Sequence, residues 1–286
     1  MPRIAILSDI HGNLAALEAV LRDVETQKPD RIVCLGDTVG YGPFPRECFA
    51  RVHQIADLVL SGNHELETAL PGDEGMEDDA REMALWSAQA VAGLEPWERM
   101  RAELAAGKAE ALAHRQEGPI TWVHGAPEEP TLRYVWPGYR THFLQLNPQI
   151  DQFLSGLLAR FSTPHGFCGH THVPAILTTY EDRELFSVSQ DWNRMFTFLG
   201  PQTIFYVPQG AAMVGGLHGR KVVINPGSVG QPRDKDPRAS WALYDGDIIF
   251  FRRVPYDISA TQAAIRALPV SQDTRGFFAD RLSKGE

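Results

Sequence analysis

Cysteine is scarce in this chain. Three occur in 286 residues, Cys34, Cys48 and Cys168. An odd number with no metal-type pairing argues against a secreted disulfide framework. Cys34 and Cys168 lie in apolar runs that read as strands and are expected to be small core residues. Long hydrophobic runs are also missing: no window approaches about 18 consecutive apolar residues, so no membrane span is expected. The opening stretch MPRIAILSDIHG lacks the basic-then-apolar pattern and small-residue cleavage site of a secretory signal. The expected compartment is the cytoplasm. Positive charge is in deficit, with 27 Lys plus Arg against 36 Asp plus Glu and a net charge of -9. A phosphate-backbone binder carries a positive footprint, so no extended nucleic-acid surface is expected. Repeats, low-complexity tracts and Gly/Ser/Pro-rich linkers are absent as well, which favours a single domain over 1–286.

What is present is an ordinary globular composition, 43% hydrophobic and 9% aromatic, in a chain long enough to bury a core without crosslinks. Arg3 to Ser8 is a short apolar run. Leu14, Leu17, Val20, Leu21 and Val24 then recur at helical spacing behind Asn13, a candidate N-cap, and Lys28-Pro29-Asp30 stops the helix. Arg31 to Leu35 is a second strand, so strand, helix and strand fit a parallel pair with a right-handed crossover. A helix over Pro45 to Ile55 and a strand over Asp57 to Leu60 follow. The stretch 76–116 reads as two helices parted near Pro96, and Ile120 to Val123 as a strand. Pro148 to Phe161 reads as a helix capped by Asn147. Beyond 173 the texture is β-rich: Ala175–Thr179, Thr203–Val207, Lys221–Asn225, Trp241–Tyr244 and Ile248–Val254. Asp245-Gly246-Asp247 marks a hairpin between the last two. A final helix is expected after Asp257-Ile258-Ser259. The pattern predicts one α/β domain with two packed sheets.

Five strand ends carry metal-ligand residue types: Asp9-Ile10-His11, Gly36-Asp37, Gly62-Asn63-His64-Glu65, His124-Gly125 and Gly169-His170-Thr171-His172. Parallel α/β sheets gather the carboxyl ends of their strands on one edge, where ligands bind. Singly, each fragment is also what a helix cap, an Asx-turn or a satisfied histidine looks like. In order, and each at a strand end, they supply two Asp, one Asn and four His. That is enough for two divalent ions if one carboxylate bridges them.

The set DIHGN (9–13), LGDTVGYGP (35–43), SGNHE (61–65), VHGAP (123–127) and CGHTH (168–172) closely resembles the calcineurin-like metallophosphoesterases. NPGSVGQPRD (225–234) is similar to their small bacterial and archaeal phosphodiesterase branch. The resemblance covers roughly residues 1–65, 120–127, 165–173 and 221–254. It implies a four-layer αββα sandwich of two mixed sheets flanked by helices, the metallo-dependent phosphatase fold. Cap insertions are expected within 66–119, 127–164 and 174–220. It also implies that Asp9, His11 and His172 hold one metal, that Asp37 bridges, and that Asn63, His124 and His170 hold the second. His64, beside Asn63, would serve as general acid near the leaving group, and Asn63 would also lie near substrate. The implied reaction is hydrolysis of a phosphodiester or phosphomonoester bond of a small, nucleotide-like substrate by a metal-bridging hydroxide. Manganese is the first expectation for the two divalent ions, with iron, zinc, nickel or cobalt open.

One departure stands out. The protein-phosphatase branch continues Gly-Asp-x-x-Asp-Arg-Gly and pairs that second Asp with the histidine. Here those positions are Gly40, Tyr41 and Gly42, so the partner of His64 is absent or comes from elsewhere. Other assignments stay two-sided. Arg233 either grips a phosphate or pairs locally with Asp234 or Asp236. Asn225-Pro226-Gly227-Ser228 either lies at the metal edge or simply turns between sheets. Tyr41, Tyr134, Trp136 and the aromatics from Tyr180 to Tyr206 either border substrate or pack. His53, His114, His142, His165 and His218 have no motif context. Oligomeric state is open, a homodimer among the options. The alternative function is a metal- or nucleotide-binding scaffold of the same fold. A β-lactamase-type metallohydrolase would need an early His-x-His-x-Asp-His run, and there is none.

Overall fold

The computed structural model describes residues 2–71, 77–136, 148–179, 186–187, 198–199 and 203–286. In chain order the elements are β1 (Ile4–Leu7), α1 (Leu14–Gln27), β2 (Arg31–Cys34), α2 (Pro45–Ile55), β3 (Leu58–Val59) and α3 (Asn63–Ala69). Next come α4 (Asp78–Val91), α5 (Glu95–Ala105), α6 (Ala109–Ala113), β4 (His114–Glu117), β5 (Ile120–Val123), α7 (Pro148–Ala159) and β6 (His165–Phe167). A run of strands follows: β7 (Pro174–Thr179), β8 (Phe186–Ser187), β9 (Phe198–Leu199), β10 (Thr203–Tyr206), β11 (Ala212–Gly215), β12 (Val222–Pro226), β13 (Ala239–Tyr244) and β14 (Ile249–Val254). α8 (Ile258–Arg266) and α9 (Gln272–Leu282) close the described chain.

Two mixed sheets result, ordered β3-β2-β1-β13-β14-β11-β8 and β4-β5-β6-β12-β7-β10-β9. In each, a parallel block carries the site: β1, β2 and β3 in the first, β5, β6 and β12 in the second. Strand alternation explains the layering. Ile4 and Ile6 of β1 face the second sheet and join Trp122, Phe167, Ile224 and Tyr244 between the sheets. Ala5 and Leu7 point the other way and pack with Leu17, Val20 and Val24 of α1. On the far side, Leu154, Leu157 and Leu158 of α7 cover Val223 and Phe205. The order helix, sheet, sheet, helix is the expected four-layer sandwich. All three cysteines are buried and unbridged.

Most elements fall where the pattern put them. Asn13 caps α1 by accepting from the Ala16 amide at 3.2 Å, and Lys28 ends it in a left-handed conformation. β13 and β14 pair Tyr244 with Ile249 across the Asp245–Asp247 turn. The stretch 76–116 differs. It holds three helices, and the first break falls at 92–94 rather than at Pro96. Pro96 is the second residue of α5, where a missing amide hydrogen leaves no helical bond unmade. Residues 114–116, read as helix, belong to β4, whose HRQE sequence has no apolar alternation because it is an edge strand. α9 was also unforeseen. Its sequence, QDTRGFFADRL, carries a glycine and only a short apolar group. Asn147, His142, Tyr180, Trp192 and Phe196 lie outside the described residues.

Candidate metal centre

The turns after β1, β2, β3, β5 and β6 meet at one edge of the sandwich. Those after β1 and β2 are laced together: the amides of Ile10 and His11 both donate to the Asp37 carbonyl, at 2.7 and 2.9 Å. Of the side chains that converge there, Asp9, His11, Asp37, His124, His170 and His172 are almost fully buried, and Asn63 is partly so. Oxygen and nitrogen atoms of Asp9, His11, Asp37 and His172 lie within 4.8 Å of one another, as do those of Asp37, His124 and His170. Asp37 belongs to both groups. Asn63 Oδ1 is 3.2 Å from His124 Nε2 and so joins the second. The structure thus brings together all seven residues expected as ligands, in two groups that share Asp37.

Backbone conformation shows how tightly they are held. Asp9, His11, Asp37, His170 and His172 all have positive φ, between 49° and 66°. Each such residue costs on the order of 1–3 kcal/mol unless its surroundings enforce it. Asp and His tolerate this region better than most side chains. For Asp37 the enforcement comes from Glu65, which is fully buried. Its carboxylate accepts from the amides of Asp37 (2.9 Å), Thr38 (2.7 Å), Val39 (3.3 Å) and Gly62 (2.7 Å). A side chain on Gly62 would overlap Asp37 Oδ1 and come within 2.7 Å of His124 Cε1, so only glycine fits there.

The chemistry of the donor set fits cations. His11, His124 and His172 turn Nδ1 to the carbonyls of Val39, Leu35 and Gln231, at 3.2, 3.0 and 2.7 Å. That fixes Nδ1–H, and the Nε2 lone pairs face inward. His11 Nε2 and His172 Nε2 then stand 3.0 Å apart. Burial holds both imidazoles well below the usual histidine range, so neither nitrogen brings a proton to the other. Two lone pairs at that distance repel unless a cation lies against both. Around His124 Nε2, Asn63 Oδ1, Asp37 Oδ2 at 3.3 Å and His170 Nδ1 at 3.2 Å likewise converge. Burial, and then His124, push His170 down to about 3.

The carboxylates are strongly coupled to this cluster. Burial lifts Asp9 to about 7, against the pull of His124 and with the push of Asp37. Burial also works upward on Asp37, but His124 and then His64 hold it well below the usual carboxylate range. His124 is the exception among the ring nitrogens. Burial opposes its charging, yet Asp37 raises it to about 9. A proton at His124 Nε2 and a divalent cation therefore compete for the same lone pairs.

His64 and Arg233 border the cluster without belonging to it. The His64 ring meets His11 edge-on at 4.8 Å and Tyr41 at 4.2 Å, and its backbone amide donates to Asp37 Oδ1 at 2.9 Å. Arg233 does not pair with Asp234 or Asp236. Arg253 takes Asp234, and Arg238 takes Asp236. Instead Arg233 bonds Gln231 Oε1 at 3.0 Å, its positive charge acts on Asp9, His11, His172 and Tyr41, and its buried Nε has no hydrogen-bond partner. Tyr41 also stacks on Phe278 of α9 at 4.7 Å, so it both packs and borders the site. Tyr134 stacks on His170 at 4.1 Å, whereas Trp136 packs edge-on against Phe205.

The turn from Asn225 to Ser228 joins β12 to β13, hence one sheet to the other, and it also braces the site. Asn225 Nδ2 donates to the Gly169 carbonyl at 2.7 Å, and Ser228 Oγ donates to that of Asp9 at 2.7 Å. None of the motif-free histidines among the described residues enters a ligand group. His165, for one, pairs with the Tyr244 hydroxyl at 2.7 Å. The bracing by Glu65 was not anticipated, because its burial shows only in the folded chain, whereas the Asn225–Ser228 turn does both things its two-sided reading allowed, lying at the site edge and turning between the sheets.

Fold and site define a two-sheet α/β protein with a dinuclear-type ligand set at its strand ends. The chain belongs to the calcineurin-like phosphoesterase family, whose model matches residues 2–174. It is similar to a metallophosphoesterase from Sphaerobacter thermophilus, with 31% identity and a TM-score of 0.69 over 100% of this chain and 99% of that one. It is also 30% identical to an uncharacterized protein, MJ0912, of Methanocaldococcus jannaschii, over 89% of this chain and 88% of the relative. The hypothetical protein PH1004 from Pyrococcus horikoshii OT3 shares the fold at 17% identity, with a TM-score of 0.62 and 97% and 98% of the two chains covered. No helix among the described residues is long and apolar enough to cross a membrane.

Proposed function

We propose that the chain is a two-metal phosphoesterase that hydrolyses a phosphodiester or phosphomonoester bond of a small, nucleotide-like substrate. One observation carries this reading: lone pairs of Asp9, His11, Asn63, His124, His170 and His172, all but Asn63 buried, converge around a shared Asp37, while His64 and Arg233 border them. Asp9, His11 and His172 would hold one cation, Asn63, His124 and His170 the other, and Asp37 both. Two bound divalent cations supply charge to the phosphoryl oxygens and acidify water to a nucleophile at neutral pH. The protein's own groups do the rest. Arg233, with an unused buried Nε–H, offers a fork for a non-bridging phosphate oxygen. His64 protonates the departing oxygen, a contribution of typically 10²- to 10⁴-fold. The formal charge of -9 does not repel such a substrate, because two divalent ions make this edge locally cationic.

Manganese is the first candidate metal, and the three unbridged cysteines fit a reducing, cytoplasmic setting. The test is hydrolysis of p-nitrophenyl phosphate, its bis-ester, nucleotides and cyclic dinucleotides with Mn²⁺, Fe²⁺, Zn²⁺, Ni²⁺ or Co²⁺. Metal-dependent turnover of at least one ester class is expected. Tight metal binding with no turnover of any ester would favour a scaffold instead.

A further inference from the structure

The partner that His64 lacks in the turn after β2 is supplied by its own helix. α3 starts at Asn63, so His64 and Glu67 stand at i and i+3, and Asn63 and Glu67 at i and i+4, all on one face. The Glu67 carboxylate forks between its two neighbours. Oε2 is 3.2 Å from His64 Nδ1, and Oε1 accepts from Asn63 Nδ2 at 3.0 Å. Position 40, against the same Nδ1 edge of the ring, has no room for an acid. A Cβ on Gly40 would lie 2.5 Å from His64 Nδ1 and 2.9 Å from its Cγ, and Gly40 holds a φ of +83° that side chains rarely adopt. Gly40 stands where the protein-phosphatase pattern has its second Asp, so absence there and provision by Glu67 go together. His64 is nearly buried, at 7% side-chain exposure, and Glu67 is partly sheltered at 27%.

We propose that Glu67 is a positioning residue for phosphoester cleavage, one carboxylate oxygen orienting the His64 imidazole and the other the Asn63 amide. This rests on the phosphoesterase reading above. With Nδ1–H held by Glu67, Nε2 is the nitrogen left for substrate. With Nδ2 held by Glu67, Asn63 presents Oδ1 to the ligand cluster, where it sits 3.2 Å from His124 Nε2. In the cleavage step, a hydroxide derived from water forms the new P–O bond. The P–O bond to the leaving group breaks, and its electron pair stays on the leaving oxygen. That oxygen takes the Nε2 proton of His64, and the imidazolium becomes neutral. Glu67 exchanges no proton; it fixes the direction from which the proton arrives.

Glu67→Gln separates this role from a merely structural one. It keeps length and packing but can accept from only one of the two neighbours. The first readout is kcat at saturating Mn²⁺ for esters that differ in leaving group. A nitrophenolate leaves without a proton, whereas an alkoxide needs one. Glu67→Gln is expected to slow the nitrophenyl ester by less than tenfold and the alkyl ester by about a hundredfold, within the range for a general acid. The second readout needs no turnover. ¹⁵N NMR of the zinc-loaded full chain should find His64 protonated at Nδ1 in the wild type, with that preference lost in Glu67→Gln. Mn²⁺ titration should find one of two sites weakened about 10- to 100-fold, as for other groups that orient metal ligands. Equal slowing of both esters with an unchanged His64 tautomer would overturn the proposal, as would no change at all. If the wild type cleaves no ester, the phosphoesterase reading fails on its own, and the tautomer and titration still decide whether Glu67 orients its two neighbours.

Discussion

Glu65→Gln is the most informative single perturbation of the scaffold beneath the site. The change removes one negative charge and turns one carboxylate oxygen into an NH₂ group. In the wild type, Oε1 accepts from Thr38 and Val39, and Oε2 from Asp37 and Gly62. Whichever way the amide sits, two buried backbone N–H groups lose their acceptor and face a donor. An unsatisfied buried donor costs about 1–3 kcal/mol, so the substitution should cost about 2–6 kcal/mol. Against a total stability of about 5–15 kcal/mol for a folded protein, that is a large fraction. Urea unfolding should give a much lower midpoint with an unchanged slope. Glu110→Gln, on the exposed surface of α6, is the control and should stay within about 0.5 kcal/mol. Mn²⁺ affinity should fall too, because Glu65 fixes the amide of Asp37, the residue common to both candidate ligand groups. If Glu65→Gln matches the control in stability and binds metal normally, the argument from four donors on one carboxylate is wrong.

Asp37→Asn should remove nearly all phosphoesterase activity while leaving the far-UV circular dichroism unchanged, since it deletes the charge common to both ligand groups; a metal-dependent assay with CD checks both halves. Arg233→Ala should raise KM at least tenfold with no loss of metal, as its guanidinium borders the cluster without joining it; steady-state kinetics and metal analysis on the same preparation decide. Glu117 joins Arg31 of one sheet to Trp122 of the other, at 2.6 and 3.0 Å. Its hydrogen bonds to Arg31 hold its carboxyl below the usual glutamate range, with burial opposing. The folded value is depressed, so the stabilisation is fully present above the unfolded value of about 4.3 and is lost as pH falls through the folded value. Glu117→Gln should therefore cost up to about 1 kcal/mol at pH 7, this pair being partly exposed. The difference should shrink below about pH 4 in urea titrations.

Much of this was legible in the residues because strand ends announce themselves. A strand ending in Asp-x-His, Gly-Asp or Gly-Asn-His needs both a sharp turn and a polar side chain, and five such ends in one α/β chain converge by topology. The parallel strands, α1 with its Asn13 cap, and the β13–β14 hairpin followed from period and punctuation in the same way. What stayed hidden depends on distance in the fold. Glu67 is recognisable as a partner of His64 only once α3 is known to begin at Asn63. Glu65 reads as one more acid in SGNHE until four amides are seen around it. Arg233 was two-sided because Asp234 and Asp236 lie beside it in sequence, yet Arg253 and Arg238 claim both. β4 and α9 escaped because an all-polar edge strand and a weakly patterned helix owe their form to what they pack against, not to their own periodicity.

The central claim is that Asp37 is shared between two cations. Anomalous diffraction from crystals of the manganese-loaded protein tests it most directly. The account predicts two peaks per chain, about 3.5–4 Å apart, one against Asp9, His11 and His172, the other against Asn63, His124 and His170, with Asp37 touching both. A single peak, or ions bound away from Asp37, would contradict it.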